Sequence, residues 1–192
     1  MKTGDYGDSL GRVLRGISLS PPEGTALHRA AREALEMAEA YLSDGRAFLS
    51  AGDRVNALAA FTYASGWLDA SSTLGLFATD TTLGLPGFSG EAPSMDTPRL
   101  RGKVDRYRKM LSGALEAIEC SPDPGSPLFQ AAMFILGRAR ELLDEGDLLA
   151  RKGEDADALA RYSHGHGWLD AGVRAGLFRV LHSRELFTVG PL

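Results

Sequence analysis

Apolar residues recur at helical spacing along most of the chain, and the pattern is written twice. Tyr6, Leu10, Val13, Leu14 and Ile17 share one side of a helix predicted over about 6–19. Tyr107, Leu111, Ala114, Leu115 and Ile118 repeat that spacing. Ser20-Pro21-Pro22-Glu23-Gly24-Thr25 then interrupts the first copy, as Ser121-Pro122-Asp123-Pro124-Gly125-Ser126 interrupts the second. Proline removes an amide donor and biases its predecessor away from the α region, so both stretches read as loops. Thr25 and Ser126 suit the N-cap of the next helix, and Pro127 suits a first turn.

That second helix is predicted over 26–50 and 127–151. Leu35, Leu42 and Leu49, with Ala38 and Gly45 between them, mark one buried seam. Its repeat is Leu136, Ala139, Leu143, Gly146 and Ala150. Gly52 and Gly153 stand where a left-handed residue ends a helix. Asp53, and Glu154 with Asp155, then place negative charge at the start of a third helix, where the helix dipole favours it.

The third helix, predicted over 54–78 and 155–182, carries the strongest self-similarity. Gly66-Trp67-Leu68-Asp69-Ala70 followed by Gly75-Leu76-Phe77 returns as Gly167-Trp168-Leu169-Asp170-Ala171 followed by Gly176-Leu177-Phe178, an offset of 101 from Gly66 to Gly167. A turn this short makes helices two and three antiparallel. Counting outward from it sets Gly45 against Ala59, Ala38 against Gly66 and Ala30 against Gly75. The second copy pairs Gly146 with Ala160, Ala139 with Gly167 and Ala131 with Gly176. Glycine inside a helix costs about 1 kcal/mol relative to alanine, so Gly66, Gly75, Gly167 and Gly176 are expected to permit close backbone approach within each hairpin.

The predicted fold class is therefore all-α, a helical bundle of two pseudo-symmetric three-helix units. The first repeat is 1–78, a Gly/Pro/Ser-rich linker 79–101, the second repeat 102–182, and 183–192 a C-terminal arm packed in extended form. Three helices bury little surface alone, so the two repeats are expected to share one core. Trp67 and Trp168 are read as anchors of that core.

Composition narrows the classes of function. A net charge of −4 among 192 residues offers no general attraction to nucleic acid or acidic membranes. One cysteine excludes an internal disulfide, and no apolar run approaches the ~20 residues of a membrane helix. The first residues lack the apolar core of a secretion signal, so a cytoplasmic protein is expected. No Gly-rich phosphate loop or nucleophile elbow is present.

Tyr41-Leu42-Ser43-Asp44, Phe48, Gly52-Asp53, Asn56-Ala57-Leu58-Ala59-Ala60 and Tyr63-Ala64-Ser65-Gly66-Trp67-Leu68-Asp69-Ala70 resemble the archaeal domain of unknown function 357. Gly153, Ala158-Leu159-Ala160, His166-Gly167-Trp168-Leu169-Asp170-Ala171-Gly172 and Gly176-Leu177-Phe178 resemble its signature more closely. Ser71-Ser72-Thr73 departs where the second copy has Gly172-Val173-Arg174. The resemblance implies a small helical archaeal domain, here duplicated and fused, and it implies no activity.

His164, His166 and Asp170 form the one local cluster of ligand-type side chains, and only His166 and Asp170 share a helix face. No further ligand stands at suitable spacing, so neither metal nor cofactor is expected. Arg161 and His166 spell Arg-x4-His, a spacing that resembles helical metal-independent ribonucleases of the HEPN group. In those, arginine holds phosphate and histidine moves protons. Tyr162, His164 and Arg174 are the accompanying binding candidates. Asp69 and Asp170 place an acid inside an apolar stretch of both copies. Each reads as a half-buried hydrogen-bond acceptor, with Arg174 as partner of Asp170, against a catalytic pair across the symmetry axis. Arg99, Arg101, Lys103, Arg106, Arg108 and Lys109 make the one basic run, read as a solvated helix face rather than a nucleic-acid arm.

The leading expectation is a non-enzymatic protein-interaction or scaffold module with an unknown protein partner and no membrane. It would be a monomer with an internal pseudo-dimer, or a homodimer. The rival is an RNA-binding or RNA-cleaving helical protein that uses Arg161 and His166.

Overall fold

The computed structural model describes residues 1–78 and 83–188. Linker positions 79–82 and arm positions 189–192 lie outside the described residues. The first copy runs α1 (Thr3–Arg15), β1 (Ser18–Leu19), α2 (Ala26–Ser50), α3 (Arg54–Thr73) and β2 (Phe77–Ala78). After a 3-10 turn at Ser89–Ser94, the second runs α4 (Thr97–Glu116), β3 (Ile118–Cys120), α5 (Pro127–Arg151), α6 (Asp155–Arg174) and β4 (Phe178–Val180). Another 3-10 turn, Arg184–Leu186, follows. The all-α architecture of two repeated units is thus present, trimmed by two short ladders.

Local chemistry sets the helix ends. The Thr25 hydroxyl accepts from the His28 amide at 3.0 Å, and the Ser126 hydroxyl from the Phe129 amide at 3.1 Å, which satisfies donors that a helix start leaves open. Gly52 and Gly153, both at φ +77°, reverse the chain into α3 and α6. Asp96 caps α4 through the Arg99 amide at 3.0 Å, so the fourth helix begins inside the stretch read as linker.

α3 and α6 form the centre. Fifteen residues of α3 and sixteen of α6, each helix being 20 long, are buried. A helix enclosed on every side needs small residues where others cross it, and here the crossing is between α3 and α6. A methyl group on Gly66 would fall on the His164 carbonyl oxygen and 3.0 Å from the Gly167 Cα. One on Gly167 would fall on the Tyr63 carbonyl oxygen and 3.1 Å from the Gly66 Cα. Because each glycine meets its own repeat counterpart, the pair lies on the pseudo-two-fold axis.

This corrects the hairpin pairing expected from the sequence. Within the hairpins, Gly45 makes room for the Phe61 ring and Gly146 for the Tyr162 ring, while Gly165 lies against the Ala139 carbonyl. Gly75 and Gly176 do not oppose Ala30 and Ala131; they have φ of +70° and +77°, and no atom lies within 4 Å of an added Cβ. Counting residues from a turn gives their level along the hairpin, not which face they occupy. The third helices consequently end at Thr73 and Arg174, earlier than expected, and the chain then turns back.

After that turn Phe77 pairs with Leu19 and Ala78 with Ser18, and Phe178 pairs with Cys120 and Val180 with Ile118, all antiparallel. These two- and three-residue ladders replace the predicted ends of the first and third helices. They are too short for the period-two pattern to show. Tyr6, Leu10, Leu58, Trp67 and Leu68 join Leu111, Ile135, Leu159, Trp168 and Leu169 in one continuous core.

Gly66→Ala and Gly167→Ala should each destabilise the protein by about 2 kcal/mol or more, since the obstacle is backbone that cannot rotate away. Gly102→Ala, in open helical surroundings of α4, should stabilise by up to ~1 kcal/mol. Urea titration of the three variants tests this. An unchanged midpoint for Gly66→Ala would rule out the close crossing.

Candidate functional site

The crossing sets equivalent polar residues of α3 and α6 against each other's helix. Tyr63 corresponds to His164, Ser65 to His166 and Asp69 to Asp170, each at the 101-residue offset. The Tyr63 hydroxyl donates to Asp170 Oδ2 of the other copy. The mirror contact sets His164 Nε2 3.4 Å from Asp69 Oδ2. The Trp168 indole donates to that same Nε2 at 3.0 Å, which leaves the His164 proton on Nδ1, 3.2 Å from the Thr62 carbonyl and 2.9 Å from the Ser65 hydroxyl. Tyr6 in turn donates to Ser65 at 2.8 Å.

Around Tyr63, His166 and Asp170 lies a cavity of about 370 Å³, within the range of small-ligand sites. Tyr41, Asp44, Phe48 and Ala60 of the first copy form one wall, and Lys103 and Tyr107 of the second form the other. The described part of the C-terminal arm closes one end. The His166 Nε2–H donates to the Leu186 carbonyl at 2.7 Å, and Phe187 stacks on the imidazole at 6.3 Å between centroids. The Thr188 hydroxyl donates to Asp170 Oδ2 at 2.5 Å, and its amide to Oδ1 at 3.3 Å. Asp170 is therefore held by hydroxyls and an amide. His166 is 5 % exposed, and its Nδ1 has no partner among the described residues.

The equivalent place on the other side of the axis is filled. Arg161 stands where the first copy has Ala60, and its Nε donates to Glu145 at 2.9 Å. The linker passes over it as the arm passes over the cavity. Tyr6 donates to the Gly84 carbonyl at 3.0 Å, Phe88 packs edge-on to Tyr6 at 5.3 Å, and the Phe88 amide donates to Asp157 at 2.6 Å.

Arg161 and His166, five residues apart on α6, are not brought together: one joins the filled place, the other the cavity. Arg174 does not pair with Asp170 but with Glu33, at 2.6 Å. Asp69 and Asp170 are not a pair, since each faces a residue of the opposite copy. Tyr162 donates to Asp147 at 2.7 Å, a carboxylate also forked by Arg108. Half of the basic run is committed, with Arg99 2.6 Å from Asp53, Arg101 3.4 Å from Asp155 and Arg108 2.7 Å from Asp147. Among the described residues no group of three or more His, Cys, Asp or Glu side chains is arranged to hold a metal. No described helix is long and apolar enough to cross a membrane.

Sequence reasoning missed Tyr41, Asp44, Lys103 and Tyr107 as lining residues; they come from α2 of one copy and α4 of the other, and no motif joins the two pairs. A usable signal was the difference between copies, since Asp44 keeps an acid while its neighbours Met37 and Ala60 replace Arg138 and Arg161.

All five tyrosines ionise with more difficulty than in water. Burial is the main cause for each; Asp170 adds to it at Tyr41 and Tyr63, and Asp147 at Tyr162. Tyrosine in the unfolded chain ionises near pH ~10. The folded state therefore keeps its full stability below that pH and loses it as pH rises toward the elevated values. In an alkaline titration, tyrosinate absorbance should appear together with loss of helical circular dichroism. Absorbance growing near pH ~10 on a fully helical protein would contradict this placement of the rings.

Comparison with curated proteins and with solved structures returns no match. The pattern of one protein family matches twice, over residues 5–77 and 106–178, which spans both hairpins, the crossing glycines and the Gly-Trp-Leu-Asp-Ala elements. The chain belongs to the DUF357 family of proteins of unknown function and carries two tandem copies of its domain.

Proposed function

We propose that the chain is a non-enzymatic interaction or scaffold module, a monomer whose two copies form an internal pseudo-dimer. The observation that carries this reading is the use made of its polar residues. A catalytic base or nucleophile needs a free proton-transfer path to a substrate. Here Asp170 accepts from Tyr63 and Thr188, the His166 Nε2–H is held by the Leu186 carbonyl, and Arg161 is paired with Glu145. The contacts of Asp170 and His166 join the copies and the covering arm to one another, and that of Arg161 joins α6 to α5. The Arg161 and His166 pair of an RNA-cleaving protein is separated between two environments, and three of the six basic residues of α4, Arg99, Arg101 and Arg108, are paired with aspartates.

A protein partner is supported by the outer side of α5. It exposes the adjacent Met133 and Phe134, whereas the equivalent positions of α2 are Arg32 and Glu33. Large apolar side chains exposed together favour an apolar protein surface over solvent.

Two measurements test the reading. Mixed RNA incubated with the protein should be neither bound nor cut; cleavage that disappears in His166→Ala would establish the rival. In the native host, crosslinking should capture a partner that is lost from a Met133→Arg, Phe134→Glu variant, which restores the first copy's residues. Equal capture by both proteins, or none by the wild type, would overturn the proposal.

A further inference from the structure

The repeat supplies an internal template for what the cavity holds. In the filled place, a guanidinium enters a setting made by Glu145 at the rim, Tyr6 on one wall and Asp69 beyond. Arg161 pairs with Glu145, and its charge acts on Tyr6 alongside that of Asp69. Each part of that setting recurs around the cavity: Asp44 for Glu145, Tyr107 for Tyr6 and Asp170 for Asp69. The cation does not recur. Ala60 stands where Arg161 would, and Met37 stands in place of Arg138, the other partner of Glu145. Asp44 is left exposed at the rim, with no ion pair or hydrogen bond among the described residues.

We propose that this cavity binds a small guanidinium compound, whose charged head takes the position that Arg161 occupies in the other half. Asp44 accepts the fork of donors from the planar head, as Glu145 does for Arg161. Tyr41, Phe48 and Tyr107 wall the site with aromatic faces that attract a cation and shelter its apolar stem. Lys103 is the one lysine or arginine in the lining; its ammonium stands 5.4 Å over the Tyr107 ring, and three carboxylates, Asp44, Asp170 and Glu185, outnumber it. The buried His166 borders the same lining.

Titration with n-butylguanidinium followed by calorimetry tests the site, with n-butylurea as a neutral compound of the same shape. One equivalent of the guanidinium should bind saturably and the urea at least tenfold more weakly. Asp44→Asn, at an exposed position, should weaken guanidinium binding about tenfold or more without altering the melting temperature. Ala60→Arg should supply the cation from within and abolish binding. Equal binding of the two compounds, no saturable binding, or undiminished affinity in Asp44→Asn would each overturn the proposal. Should Ala60→Arg misfold by circular dichroism, the Asp44→Asn comparison decides. None of these readouts involves RNA or a protein partner, so the site stands or falls separately from the scaffold reading.

Discussion

Two helix backbones touch at the middle of this molecule, Gly66 against Gly167, and the rest of the structure depends on that contact. Side chains at either position would hold α3 and α6 apart. With the helices apart, Tyr63 would not reach Asp170 and His164 would not approach Asp69. The glycine penalty in helix propensity is offset by the burial of two whole helices, along with Trp67 and Trp168 beside the crossing. Copies so joined do not behave as two domains on a linker, since the linker and the arm each lie over a place built from both copies.

Symmetry then makes the departures from it informative. The two places beside the axis have a common plan, with an acid at the rim, a tyrosine from a first helix and an acid from a third helix. One is closed by Arg161 and Phe88, and the other is open where Ala60 replaces the arginine. A duplicated chain is free to stabilise itself with one copy of a site while leaving its twin accessible. In the same way, α5 exposes Met133 and Phe134 where α2 has Arg32 and Glu33.

The buried polar residues of α3 and α6 look like chemistry in the sequence and serve cohesion in the fold. A carboxylate within a core is costly unless it is fully hydrogen-bonded, and Asp170 accepts from two hydroxyls and an amide. The basic residues of α4 likewise bind the starts of α3 and α6 through Asp53 and Asp155, fastening the second copy's first helix across both hairpins.

By itself the sequence determined the doubling, the six helices, the left-handed turns at Gly52 and Gly153 and the caps at Thr25 and Ser126. All of these follow from short-range rules of periodicity, capping and backbone freedom. It also showed that Gly66 and Gly167 must allow some close approach. Only the tertiary structure decided that they approach each other, that Gly75 and Gly176 end helices instead, and that Arg161 and His166 part company. Helical spacing records which residues share a face and not which helix that face meets. The ladders at Ser18–Leu19 and Ile118–Cys120 and the cavity of Tyr41, Asp44, Lys103 and Tyr107 join residues far apart in the chain. Such groupings exist only once the core has set the helices in place.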